Sequence, residues 1–214
     1  IIFLGGMYNY DESRLRMLRV PYVISGSGKT VPEDTGTYPK SALVTTDTEI
    51  ESQSMVDYLC SCGHKRIAFI TSGDEGLGRC HLNGYKRSLE KNGLEYDEKL
   101  IIRLKPGKRI YTIENGYNCT CELLKSGVDF SCIYAISDTL AVGACRAVID
   151  SGKRVPEDYC VAGADGQDIA EYYHPSITTL KYPRVEIALQ SVRTLFDLIN
   201  RKKVVKRQIL GGTL

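Results

Sequence analysis

The stretch Cys132–Gly166, CIYAISDTLAVGACRAVIDSGKRVPEDYCVAGADG, decides the fold because it reads as strand, helix and strand with polar residues at both strand ends. Ile133, Tyr134, Ala135 and Ile136 form a short β-branched, aromatic and apolar run, whereas Leu140, Val142, Ala144, Ala147, Val148 and Ile149 keep mostly helical spacing. Ser137 and Asp138 fall at the junction, where a short side-chain oxygen can accept from the orphan N–H groups of a first helical turn; Asp138 is expected to serve as the cap. Gly152 stops the helix, Pro156 and Asp158 make the turn, and Tyr159 to Gly163 form the next strand. A helix joining two strands in this way makes them parallel, so their carboxyl ends share one edge of the sheet, where α/β proteins bind ligands. Ser137 and Asp165 are therefore expected to face one crevice.

The same alternation extends in both directions. Upstream, Ile50, Met55, Val56, Leu59 and Cys60 recur with helical period up to Gly63, and a strand follows over Arg66–Ile70. The glycine-bearing stretch TSGDEGLGR (71–79) lacks the G-K-[ST] ending of a phosphate loop and reads as a loop before a helix at about Cys80–Asn92. A strand at Leu100–Leu104 and a helix at Thr112–Ser126 complete the approach to Cys132. Nearer the start, strands are expected at Ile1–Leu4, Pro21–Ile24 and Ala42–Thr46, with a surface excursion over 25–41, rich in Gly, Ser, Thr and Pro. Beyond Asp165, a short strand at Ile177–Lys181 precedes a long amphipathic helix, Arg184–Asn200, with Ile187, Leu189, Val192, Leu195, Phe196 and Ile199 inward. Val204–Leu210 reads as an edge strand. The fold class is α/β, with doubly wound parallel sheets.

Composition narrows the function classes. A formal net charge of +2 over 214 residues is too small to mark a nucleic-acid binder, and the run Arg201, Lys202, Lys203, Lys206, Arg207 reads as a solvated helix end. No stretch is apolar enough to span a bilayer, and no secretory signal stands before Ile1. The eight cysteines form no C-x-x-C spacing and sit mostly in apolar patterns, which suits a reducing cytoplasm. His64 reads as a turn residue. No metal or cofactor is expected. No G-x-S-x-G elbow, paired metal ligands or dinucleotide fingerprint is present, so an enzyme ranks last. The abrupt apolar start IIFLGG leads us to expect a missing N-terminal portion.

The run ISDTLAVGACRAVIDSGKRVPEDYCVAGAD, followed by HPSITTLKYP and preceded by CGHKRIAFI and NGYKRSLEKNG, resembles the effector-binding domain of the lactose-repressor/galactose-repressor (LacI/GalR) family of bacterial transcription regulators. The order and spacing of these blocks agree over nearly the whole chain. The resemblance implies two periplasmic-binding-protein-like α/β subdomains with an effector in the cleft between them. Residues 1–46 plus 184–211 would form the first subdomain, lacking its opening strand and helix, and 47–183 plus 212–214 the second.

The family's strand-end aspartate, which hydrogen-bonds effector hydroxyls, falls on Asp165. Ser137 stands where the family usually has Asn, and the family's arginine falls on His81, with Arg79 nearby as a substitute guanidinium. On the other subdomain, a position acidic in the lactose-repressor branch falls on Gly26, and Thr46 ends a strand at the same edge. The expected function is therefore binding of a sugar or related small molecule and homodimerisation, without catalysis. Operator DNA would be read through a helix-turn-helix domain outside this chain. A periplasmic-type sugar carrier is the second reading, and an upstream signal peptide would favour it.

Overall fold

The computed structural model describes residues 1–4, 12–26, 39–105, 107 and 109–214. Most of the excursion expected over 25–41 lies outside the described residues. In chain order the elements are β1 (Ile2–Leu4), α1 (Glu12–Arg16), β2 (Tyr22–Ser25), β3 (Ser41–Thr45), α2 (Thr48–Ser61), β4 (Ile67–Thr71), α3 (Gly76–Lys91) and, after a 3-10 turn at Glu98–Leu100, β5 (Ile101–Arg103). There follow α4 (Ile113–Lys125), β6 (Cys132–Ala135), α5 (Asp138–Asp150), β7 (Cys160–Ala162), α6 (Asp168–Tyr172), α7 (Arg184–Ile199) and β8 (Arg207–Ile209). They make two parallel four-stranded sheets, of order β1-β2-β3-β8 and β5-β4-β6-β7, with flanking helices. This is the α/β class read from the alternation. The chain divides into two compact units, Ile1–Asp47 with Tyr182–Gly212, and Thr48–Lys181 with Thr213–Leu214.

In the first unit the two-residue period of the strands sorts side chains to opposite faces. Tyr22, Ile24 and Leu43 pack with Leu15 of α1, while Val23, Ala42 and Val44 pack with Ile187 and Leu198 of α7. In the second unit one cluster among the described residues runs through β4, β5, β6, β7 and the helices on them. Phe69, fully buried, stacks against Tyr85 at 5.0 Å and Tyr134 at 5.1 Å between centroids, and the Tyr85 hydroxyl donates to the Ile67 carbonyl at 2.8 Å.

Three local expectations need correction. Helix α3 starts at Gly76, about one turn before the expected Cys80. Glycines 76 and 78 are poor helix formers, yet Gly78 lies so close to the Gly73 carbonyl that a larger residue has no room, so close packing of the preceding loop overrides propensity. Second, Ile177–Lys181 is not a strand of its own but a segment held by three isolated bridges, Thr178 to Ala162 and Lys181 to Asp165 and to Thr213.

Third, α7 is turned differently. Its buried side is Ile187, Ser191, Thr194 and Leu198, whereas Leu189, Val192, Phe196 and Ile199 are exposed, Phe196 by 60%. The helix carries two stripes with the same period, so spacing alone does not say which faces the sheet. Hydrogen bonds select the polar-bearing one: Ser191 Oγ donates to Ser25 Oγ at 2.8 Å, and Gln208 Nε2 to Thr194 Oγ1 at 3.0 Å.

Candidate functional site

All four strands of the second unit's sheet are parallel, so Arg103, Thr71, Ser137 and Asp165 follow or end them along one carboxyl edge in the order β5-β4-β6-β7. Ser137, not Asp138, caps α5: its Oγ accepts from Leu140 N at 3.3 Å and lies 3.0 Å from Thr139 Oγ1. Asp138 does something the cap reading did not anticipate. Its side chain is fully buried and accepts from Gln167 N and from Thr179 Oγ1, both at 2.6 Å. The loop after β7 thus folds back onto the start of α5. Gly163 permits the approach, since a Cβ there would collide with Asp138 Oδ1.

Asp165 sits on that fastened loop. Its φ of 134° is one that L side chains rarely adopt, and such strain persists only where the surroundings over-determine the backbone. Here they do: Asp165 N donates to Leu180 O at 3.3 Å, Gly166 N donates to Thr179 Oγ1 at 3.1 Å, and Thr179 is tied to Asp138. The half-buried carboxylate accepts from Gln167 Nε2 at 3.1 Å.

Arg79 lies on the first turn of α3, after β4, and its Nε donates to the Asp74 carbonyl at 3.0 Å. Beside it Arg103 is held by Asp74 at 2.9 Å and Glu98 at 2.5 Å, and those two carboxylates raise its pKa. His81 is placed deeper. It is 8% exposed, its carbonyl accepts from Ser52 Oγ at 2.8 Å, and Nδ1 lies 3.5 Å from the Tyr134 hydroxyl. Burial lowers its pKa to about 4, so the ring is neutral near pH 7. It belongs to the packing between α2, α3 and β6.

The structure therefore brings Ser137, Asp165 and Arg79 to one sheet edge. Thr46 and Gly26 belong to the first unit, where they follow β3 and β2. Gly26 has φ 78°, and its carbonyl accepts from the Tyr182 hydroxyl at 2.8 Å. A side chain at this position would be strained and would press on Tyr182. Two residues escaped the sequence reading. Gln167 steadies Asp165, and Thr71, at the end of β4, has a buried hydroxyl with no hydrogen-bond partner among the described residues. Thr71 was legible by the rule that found Ser137, as a polar residue closing an apolar strand. A cavity of about 420 Å³ lined by Tyr117, Cys121, Leu124 and Asp150 lies along α4 and α5, away from this edge.

A carboxylate, hydroxyls and a guanidinium along one edge are suited to a neutral, many-hydroxyl ligand, because charged acceptors and donors hydrogen-bond more strongly than neutral ones. No helix among the described residues is long and apolar enough to cross a membrane.

Comparison with known proteins gives the family. The periplasmic binding protein-like domain family matches residues 56–214. The HTH-type transcriptional regulator MalR of Clostridium butyricum is 34% identical over 216 residues, which cover 100% of this chain and 62% of MalR. The chain thus spans less than two thirds of that relative. Among solved structures, the transcriptional regulator CelR in complex with cellobiose superposes with a TM-score of 0.81 at 30% identity, covering 99% of this chain and 62% of CelR. The Escherichia coli transcriptional repressor ascG gives 0.79 at 26% identity, covering 94% and 69%. This chain belongs to the periplasmic binding protein-like domain family, in the form that LacI/GalR-family transcription regulators carry.

Proposed function

We propose that the chain is the effector-binding part of a LacI/GalR-type transcription regulator, and that a sugar or close derivative binds at the carboxyl edge of the second unit's sheet through Asp165, Ser137 and Arg79. The observation that carries this reading is the strained, fastened backbone at Asp165, which holds a half-buried carboxylate at a strand end. The cellobiose complex of CelR supports the ligand class. His81 contributes through Tyr134 and the packing beneath, and Thr46 and Gly26 follow strands at the first unit's own carboxyl edge. No catalytic role is assigned.

Operator DNA is read by a helix-turn-helix domain, and the working protein is a cytoplasmic homodimer. The outward apolar stripe of α7, Val185, Leu189, Val192, Phe196 and Ile199, offers a contact face for it. A sugar carrier of a transport system is the second reading. The similarity to transcription regulators and the eight free cysteines weigh against it. Measuring the operator affinity of the full-length regulator across a panel of mono- and disaccharides tests the proposal. An effector shifts that affinity by about 5–150-fold, the usual size of an allosteric coupling, whereas no change with any sugar that binds contradicts the regulatory reading.

A further inference from the structure

The amino edge of the same sheet, opposite the effector residues, carries a second cluster. Cys132 and Cys160 open β6 and β7 and are register partners, so their side chains leave the sheet on the same face. His64 ends the turn between α2 and β4 at this edge. One ligand atom from each of His64, Cys132 and Cys160 lies within 4.8 Å of the others. Pairing of strands far apart in sequence brings them together, which is why no motif spacing announced them.

We propose that His64, Cys132 and Cys160 form a binding site for a thiophilic divalent cation of the Zn²⁺ type. Tetrahedral bonds of about 2.0–2.3 Å put ligand atoms about 3.3–3.8 Å apart, so side-chain rotation closes the remaining gap. Two thiolates and a neutral imidazole balance the charge of a divalent ion, and binding releases the thiol protons to solvent. The outer shell is in place as well. Ser131 Oγ lies 2.9 Å from His64 Nδ1, and with Nδ1 donating to that hydroxyl, Nε2 keeps the lone pair that a metal needs. The backbone around it is fixed, because Ser131 N donates to Arg66 O and Cys160 N to Ser131 O, both at 3.0 Å. Cys132 is fully buried while His64 and Cys160 are half-buried, which leaves an approach from solvent. A solvent water can take the fourth position from that side.

Cobalt titration of the reduced, chelator-treated chain reads the site directly. One Co²⁺ per chain is expected, with the thiolate-to-cobalt charge-transfer band and intense visible bands of a tetrahedral centre, both abolished by Zn²⁺. Cys160→Ser and His64→Gln, at half-buried positions that tolerate change, should lose these bands while keeping the native circular dichroism. Ser131→Ala should weaken binding about 10–100-fold. Cys119→Ser and Cys121→Ser should leave it unchanged. The site is refuted by the absence of a thiolate band, by a band that survives in Cys160→Ser, or by a Cys132–Cys160 disulfide whose reduced form takes up no cobalt.

Discussion

Phe69 and Phe196 mark the two extremes of this molecule. Phe69, in the second unit, is sealed between Tyr85 and Tyr134 in a core that continues through all four strands of its sheet and the helices over them. Phe196, in the first unit, lies on the solvent side of α7, on a sheet whose two faces, among the described residues, hold small, separate clusters. Both sheets are parallel, which normally requires cover on both faces. The second unit has that cover in α2 and α3, α4 and α5; among the described residues the first has α7 and the five-residue α1. The second unit can therefore hold a strained loop such as that at Asp165, since its surroundings are rigid enough to keep it.

The sharpest way to break this contrast is to remove the second unit's central ring. Phe69→Ala should cost about 3–5 kcal/mol in urea-induced unfolding, the range for deleting a buried aromatic side chain. A loss below 1 kcal/mol would show that the stack is not the core's centre. Asp138→Ala should cost about 3 kcal/mol, because it strips two charge-assisted bonds and leaves buried donors behind. It should also loosen the backbone amides of Asp165 and Gly166 in hydrogen exchange. Unchanged protection there would separate Asp138 from the site.

Acid acts on the second unit through His81. Its folded pKa is near 4 and its unfolded pKa near 6.5, so between these values the unfolded chain takes up the proton first. His81 therefore costs no stability above about pH 7, and a loss develops as pH falls from 6.5 to 4, reaching about 3 kcal/mol. His81→Gln should flatten that part of the unfolding profile. An equally steep profile in the variant would assign the acid sensitivity elsewhere. The smallest effect belongs to the first unit: Phe196→Ser should change stability by no more than about 0.5 kcal/mol at concentrations low enough for the monomer. A multi-kcal/mol loss would mean that α7's outer side is already covered.

What could be read from the sequence was whatever depends on local period and strand order. The run from Cys132 to Gly166 folds as strand, helix and strand, with Ser137 and Asp165 at neighbouring strand ends, as spacing and turn residues require. Features that depend on long-range packing were not legible. Asp138 looked like a cap because its partners, Gln167 and Thr179, are 29 and 41 residues away. The facing of α7 was ambiguous because both its stripes have helical period. Nothing local marks His81 as buried beside Tyr134, which lies 53 residues along the chain.

Calorimetric titration of cellobiose and related sugars into the native chain and into Asp165→Asn asks whether the Asp165 carboxylate holds the effector. Replacing the carboxylate by an amide keeps its size and removes the charged acceptor, a change worth about 1.5–3 kcal/mol for hydrogen bonds to a charged group, or about 10–100-fold in Kd. A sugar should bind the native chain and bind Asp165→Asn at least tenfold more weakly, while the fold and melting temperature hold. Equal affinity in both proteins would place the effector elsewhere and contradict that role of the carboxylate.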